Sequence, residues 1–286
     1  MTVQHSLEAQ GLSSGYGSVT VVDGIDLALP PGRISVIVGA NASGKSTLLK
    51  TLARLLPPKA GSVVLDGRRI DELHTKDIAR TLGLLPQSPV APEGIAVADL
   101  VGRGRHPHQK LFRSWTADDE RAVAQALVET GVAELADRAV DELSGGQRQR
   151  VWIAMALAQE TEVLLLDEPT TFLDLAHQIE VLDLLTDLNR ERGTTVAMVL
   201  HDINLAARYA DHLFAMRNGR LVASGAPEDV VTADLIRDVF GLEAQVIADP
   251  VSGTPLILPI GRHHAHPAAI DAPASAAPAT PTGAHA

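Results

Sequence analysis

Gly39-Ala40-Asn41-Ala42-Ser43-Gly44-Lys45-Ser46-Thr47 is the stretch around which this chain is organised. It follows an apolar run, Ile34-Ser35-Val36-Ile37-Val38, and leads into Ser46-Thr47-Leu48-Leu49-Lys50-Thr51-Leu52-Ala53, whose spacing predicts a helix. Strand, then G-x-x-x-x-G-K-S, then helix is the context of a phosphate-binding loop. Small residues let backbone N–H groups curl around phosphate oxygens, and the helix N-terminus adds a favourable dipole. On this reading Lys45 reaches the β- and γ-phosphates and the Ser46 hydroxyl ligates Mg²⁺. The plainer alternative is a glycine-rich turn that merely joins strand to helix, and the flanking pattern argues against it.

The bulk properties narrow the class. With 286 residues, 45% of them hydrophobic, the chain can bury a sizeable core as one large or two small domains. Its net charge of -11 gives no broad basic surface for nucleic acid. The absence of cysteine excludes disulfides, zinc–thiolate sites and thiol chemistry. Met1-Thr2-Val3-Gln4-His5 lacks a signal-peptide pattern, and no apolar run approaches the ~20 residues of a membrane span. The expectation is a soluble, cytoplasmic chain that reaches a membrane only through a partner.

Upstream of the loop, Val3 to Leu12 and Val19 to Leu29 read as antiparallel strands joined through Ser13-Ser14-Gly15-Tyr16-Gly17. Tyr16 is either a core plug or a face on which adenine stacks. Downstream, the helix ends at Pro57-Pro58. Ser62 to Gly67 reads as a strand and turn returning to the first sheet, and Lys76 to Thr81 as helical. Leu82-Gly83-Leu84-Leu85 is a buried strand that delivers Gln87, either a loop residue or one that meets the ligand at a strand C-terminus.

From about 88 to 162 the strand pattern vanishes and a helical insertion is expected. Its helix after Thr116 opens with an N-cap and acidic first turn, Ala117-Asp118-Asp119. Gly102-Arg103-Gly104-Arg105-His106-Pro107-His108-Gln109-Lys110, the most basic stretch, is either a solvated loop or a docking surface for a protein. Leu143-Ser144-Gly145-Gly146-Gln147 precedes another helix and forms a second anion-ready helix start. Val163-Leu164-Leu165-Leu166 is a continuous apolar strand, buried on both faces as in a parallel sheet. It ends on adjacent carboxylates: Asp167 suits Mg²⁺, and Glu168 suits polarising a water for in-line attack on a γ-phosphate. Leu173-Asp174 follows in a loop. Thr195 to Leu200 is a further buried strand ending at His201, either a neighbour of a helix cap or a donor to phosphate oxygen. A hairpin is expected around Asn218-Gly219, helices over Pro227 to Phe240, and a strand–turn–strand over Val246 to Ile260. From Arg262 on, Ala, Pro and Thr dominate and a disordered tail is expected; its histidines His263, His264 and His266 suggest at most adventitious metal binding.

The order of these motifs resembles that of the ATP-binding-cassette (ABC) ATPases: Gly39–Thr47 as Walker A, Gln87 as Q-loop, Leu143–Gln147 as signature, Val163–Glu168 as Walker B, Leu173-Asp174 as D-loop and His201 as H-loop. The resemblance covers about residues 3–245. It implies an α/β fold: a P-loop NTPase (RecA-like) core with an N-terminal antiparallel β subdomain and an inserted α-helical subdomain at about 88–162. Residues 246–261 would be a strand extension and 262–286 a tail. It implies that ATP and Mg²⁺ are bound, with Tyr16 stacking on adenine, Gln87 sensing Mg²⁺ and water, Ser46 and Asp167 at the metal, Glu168 as base and His201 as γ-phosphate switch. Ser144, Gly145, Gly146, Gln147 and Asp174 would act across a homodimer, each chain closing the other's Walker A site. Two membrane permease subunits and, indirectly, an extracytoplasmic binding protein are the implied partners, with the chain at the cytoplasmic face of the inner membrane.

Closer similarity is to ATPase subunits of iron–siderophore importers, carried by Gly102–His108, Leu143–Gln159 and Asp167-Glu168-Pro169-Thr170-Thr171-Phe172-Leu173-Asp174. Haem and cobalamin importers share the architecture and remain alternatives. A soluble ABC-type ATPase would carry a coiled coil or two cassettes, and neither is present. A non-hydrolysing regulatory module would have lost Glu168 or His201. Two positions depart from the family pattern. Ala42 replaces a frequent Gly, so a negative φ is expected there. Phe172 occupies a D-loop position often held by a smaller residue, where it would pack at the dimer seam.

Overall fold

The computed structural model describes residues 5–109 and 115–263. Its frame follows from the alternation of side chains along central strands that are buried throughout. In chain order the strands are β1 (Leu7–Tyr16), β2 (Val19–Leu29) and β3 (Ile34–Gly39), then helix α1 (Lys45–Leu52). Next come β4 (Ala60–Leu65), β5 (Arg68–Arg69), α2 (Thr75–Thr81) and β6 (Leu82–Leu85). Three helices follow: α3 (Val97–Gly102), α4 (Ala117–Glu129) and α5 (Gly145–Ala158). The chain then runs through β7 (Val163–Asp167), α6 (Leu175–Arg192), β8 (Thr195–Val199), α7 (Ile203–Tyr209), β9 (His212–Arg217) and β10 (Arg220–Gly225). It closes with α8 (Pro227–Val230), α9 (Ala233–Phe240), β11 (Ala244–Ala248) and β12 (Pro255–Pro259).

The central sheet has the order β10-β9-β3-β8-β7-β6. The pairs β9/β3, β3/β8, β8/β7 and β7/β6 are parallel, and β10 is an antiparallel edge. Every residue of β3, β7 and β8 is buried, as expected for strands covered on both faces. Parity divides the two cores. Val36, Val38, Leu164, Leu166, Val196 and Met198 face one cluster, with α3 to α7. Ile37, Val163, Leu165, Ala197 and Val199 face the other, with α1 and the antiparallel sheet β2-β1-β4-β5. Asp167 shares the parity of Val163 and Leu165, so β7 ends with this carboxylate turned toward α1.

Two connections hold α1 in place. Thr51 donates its hydroxyl to Ser14 on β1 at 2.9 Å, and Leu48, Leu49 and Leu52 fill the cluster between the sheets. The strand β1 runs four residues further than the expected Leu12. Bulges between Ala9 and Gly15 let it continue to Tyr16, and the turn shrinks to Gly17-Ser18. The expected start at Val3 and the histidines His264 and His266 lie outside the described residues. The helices α3, α4 and α5 pack on one another beyond β6, and α4 opens with a reciprocal Thr116–Asp119 capping box. No helix among the described residues is long and apolar enough to cross a membrane.

Candidate functional site

The loop after β3 is built by one tight turn and one close approach. Ser43 N–H donates to Ala40 carbonyl at 3.2 Å, placing Ala42 at the third position of the turn with φ 62°. The expectation of a negative φ at Ala42 is therefore wrong. A turn that draws successive N–H groups inward needs a left-handed residue here, whatever its side chain. Ala42 is exposed, so little packing is at stake and the cost is mainly in the backbone. Replacing Ala42 by Gly should thus raise stability by on the order of 0.5 kcal/mol, the relieved strain exceeding the added chain entropy. Urea denaturation of both chains would measure this; a lower midpoint in the variant would contradict it. Gly39 is different, since a Cβ there would lie 2.3 Å from the Met216 carbonyl oxygen of β9.

Lys45 lies at the first turn of α1, 5% exposed, and donates to the carbonyls of Gly39 (2.8 Å) and Ala40 (3.0 Å). Burial pulls its pKa below the ordinary lysine value, and the carboxylates of Glu168 and Asp167 oppose that shift. Ser46 donates its hydroxyl to Asp167 Oδ1 at 2.8 Å. Asp167 Oδ2 is buried with no hydrogen-bond partner among the described residues, and burial raises the carboxyl pKa against the Ser46 hydrogen bond. A buried carboxylate oxygen with nothing to bind, beside a serine hydroxyl, fits a hard divalent cation that takes oxygen ligands.

Glu168, 7% exposed, adopts a left-handed φ of 58°, and three side chains hold its carboxylate. Gln87, two residues beyond β6, donates to its Oε2 at 2.8 Å. Thr171 donates to the same oxygen at 3.1 Å. His201, at the end of β8, places Nε2 at 2.6 Å from Oε1. The carboxylate is thereby aimed into the cleft rather than along the strand.

Tyr16, Val21, Asn41–Thr47, Gln87, Glu168 and His201 line one cleft of about 560 Å³. Residues 41–47 of the expected Walker A stretch, Tyr16, Gln87, Glu168 and His201 thus come together, with Asp167 beside them through Ser46, while Gly39 and Ala40 do not line the cleft and instead accept from Lys45. Tyr16 is half exposed at the cleft edge, where a ring face is accessible, and not a core plug. Thr171 and Val21 were not among the expected residues. A hydroxyl three positions after an acid was the available signal for Thr171; nothing in the sequence singles out Val21.

The remaining expected residues lie elsewhere in this chain. Ser144 and Gln147 form a reciprocal capping box at the start of α5 (3.1 and 3.2 Å), leaving Gly145 exposed. Asp174 caps α6 by accepting from His177 N–H at 3.0 Å. Phe172 is 81% exposed with φ 67°. None of these lines the cleft. They share one neighbourhood, for a Cβ on Gly145 would sit 3.9 Å from Phe172 Cβ and one on Gly146 3.4 Å from Leu173.

The chain is similar to known proteins over most of its length. The profile of a family described as ABC transporter matches residues 22–171. The chain is 54% identical over 256 residues to the Escherichia coli (strain K12) ferric enterobactin transport ATP-binding protein FepC, covering 90% of this chain and 94% of that one. It is 55% identical over 257 residues to the Dickeya dadantii (strain 3937) achromobactin transport ATP-binding protein CbrD, covering 90% and 96%. Among solved structures, an ABC transporter described as metal-chelate type, in an inward-facing conformation, matches with TM-score 0.76 and 30% identity, covering 91% of this chain and 98% of that chain. A dimeric bacterial ABC transporter cassette matches with TM-score 0.69 and 26% identity, covering 77% and 98%.

Proposed function

This chain belongs to the ATP-binding subunits of ABC transporters, and from that premise we propose that it hydrolyses ATP to energise import of iron–siderophore complexes. The observation that carries the chemistry is the meeting of Lys45, Glu168 and His201 from three separate segments in one cleft, with Asp167 joined to it through Ser46. Lys45 supplies positive charge where the β- and γ-phosphates lie. Glu168, oriented by Gln87, Thr171 and His201, accepts a proton from the attacking water, and His201 donates to the γ-phosphate. Tyr16 offers its ring to adenine. Ser46, Asp167 and Gln87 would hold Mg²⁺, which neutralises phosphate charge when bound. Phosphoryl transfer of this kind depends on positioning and charge neutralisation more than on covalent chemistry.

The cleft is open on one side, and Ser144–Gln147 of the same chain do not reach it. A helix start leaves its first N–H groups without internal partners, so Gly145 and Gly146 suit a phosphate contributed by another molecule. In a homodimer each chain would close its partner's nucleotide with this segment, with Asp174 and Phe172 beside it. The reading places two permease subunits above the dimer, an extracytoplasmic binding protein beyond them, and the chain at the cytoplasmic face of the inner membrane. A groove of about 600 Å³, lined by Gly102, Arg103, His106, Trp115, Val123 and Leu127, suits a permease segment.

Import is tested in vesicles that carry the co-purifying permease, with ATP inside and labelled ferric siderophore offered through its binding protein. Uptake should require this chain and ATP, and the double substitution of Arg103→Glu and Trp115→Ala should reduce it with soluble ATPase activity retained. Uptake of haem or cobalamin in place of the siderophore would overturn the cargo.

A further inference from the structure

The basic stretch Gly102–Lys110, expected as either a solvated loop or a docking surface, divides in its described part, residues 102–109, with Lys110 outside the described residues. Arg103 and His106 are exposed, whereas Arg105 is 4% exposed and makes three contacts. Its Nε donates to Asp119 Oδ1 (3.0 Å), and its Nη1 donates to the Ala158 carbonyl (2.8 Å) and Glu160 Oε2 (2.7 Å). Asp119, on α4, is itself 5% exposed and also accepts from the Thr116 hydroxyl at 2.7 Å. One guanidinium therefore joins α4 to the last residue of α5. A charge so deeply buried requires both its partners and its geometry.

Two further residues of the stretch, His108 and Gly104, meet the same helix end. His108 Nε2 lies 2.7 Å from the Gln159 carbonyl. Gln159 in turn donates to the Ala79 carbonyl of α2 at 2.6 Å, and Arg80 of α2 donates to the Pro107 carbonyl at 2.9 Å. Gly104 is pressed so close that a Cβ would lie 2.3 Å from the Met155 carbonyl oxygen. The opposite end of α5 is held by Arg148, whose guanidinium donates to the carbonyls of Val140, Asp141 and Leu143 (3.2 to 3.4 Å). With 14 residues, α5 is a rod of roughly 21 Å. Freedom at its C-terminal end becomes displacement at its N-terminal end, which is Ser144–Gln147.

We propose that Arg105 is a positioning residue: it pins the C-terminal end of α5 so that Ser144–Gln147 at the other end are presented at a fixed angle to the nucleotide of a second copy. This rests on the dimer reading given above. Arg105 touches neither nucleotide nor cleft, so its loss leaves the chain's own nucleotide site intact and impairs the service α5 gives to the partner.

The test compares Arg105→Gln and Arg105→Lys with the unsubstituted full-length chain, each in a Glu168→Gln background that traps the dimer. Fluorescent ATP binding by the isolated chain should stay within about twofold, whereas the ATP concentration that drives dimerisation should rise about tenfold or more for Arg105→Gln. Amide hydrogen exchange should accelerate about tenfold or more at residues 145–159 and stay unchanged in α1. Arg105→Lys keeps the charge but cannot span Asp119, Ala158 and Glu160 together, so it should fall between the two; it carries the test if Arg105→Gln does not fold. Unchanged dimerisation with unchanged exchange in α5 would overturn the proposal, and so would equal acceleration in α1 and α5, which marks a purely structural residue. If ATP fails to dimerise the Glu168→Gln chain itself, the dimer reading falls, while the contrast in exchange between α5 and α1 still decides whether Arg105 pins the helix.

Discussion

Replacing Glu168 by Gln should lower ATP turnover by about a thousandfold or more while ATP binding persists and the chain accumulates as a nucleotide-bound dimer. Glutamine preserves volume and one acceptor oxygen, so Gln87, Thr171 or His201 can still hold the side chain in place. What it removes is the ability to take a proton. Lys45 and the N–H groups of residues 39–47 are untouched, and with them the binding of the triphosphate. The left-handed backbone at residue 168 opens a main-chain turn, closed by the Thr171 N–H on the Glu168 carbonyl at 3.2 Å, and the substitution leaves that bond in place. Phosphate release under saturating ATP, together with gel filtration, reads both halves of the expectation. Hydrolysis at the unsubstituted rate would remove Glu168 from the role of base. Loss of binding along with turnover would instead assign it to nucleotide retention.

Asp167→Asn should produce the opposite balance: a more stable chain that hydrolyses ATP at about a hundredth of the rate or less. Asp167 is 1% exposed and has an oxygen with no partner among the described residues, so its charge is poorly compensated without a ligand. Asparagine keeps an acceptor for the Ser46 hydroxyl and removes that charge, which should stabilise the nucleotide-free chain by roughly 1 kcal/mol at pH 7. The sign with pH follows from the raised pKa. The unfolded carboxyl releases its proton near 3.8 and the folded one only at higher pH. The aspartate chain therefore loses stability as pH rises from 3.8 through the folded value, and the penalty is constant above it. The advantage of Asp167→Asn should be present at neutral pH and vanish as pH falls toward 3.8. Thermal melts without nucleotide across that range measure it independently of activity. An asparagine variant less stable than the parent at pH 7 would show that Asp167 is satisfied without a cation.

Much of the central frame was legible because its signals are local and periodic. Continuous apolar runs at 34–38, 163–166 and 195–200 can be buried only between two layers, and the residues that end them are necessarily brought to one edge of the sheet. That places Asp167, Glu168 and His201 near the loop that follows β3. The misreadings have a common cause, namely geometry imposed from outside the segment. At Ala42 the hydrogen bond from Ser43 to Ala40 dictates a left-handed residue whatever the side-chain preference. At Tyr16 the bulged pairing with β2 carries β1 through a segment rich in turn-forming residues. Arg105 has the composition of a surface loop, and only the arrival of Asp119 and the end of α5 from 14 and 53 residues away makes it a buried pin. Thr171 escaped notice because its importance comes from the direction in which a left-handed Glu168 turns its carboxylate.

The strand β7 has a property that side-chain exchange alone does not reveal. Its residues alternate strictly between two cores, and its last residue meets Ser46 only because four residues precede it in register with β8. Leucine for valine along this strand changes packing locally. Deleting or inserting one residue between Val163 and Leu166 would turn every following side chain to the opposite layer, burying the Asp167 carboxylate among apolar helices and swinging Glu168 away from His201. A change of letter in this strand is thus felt where it occurs, whereas a change of count is felt at the far end, in the site the strand serves.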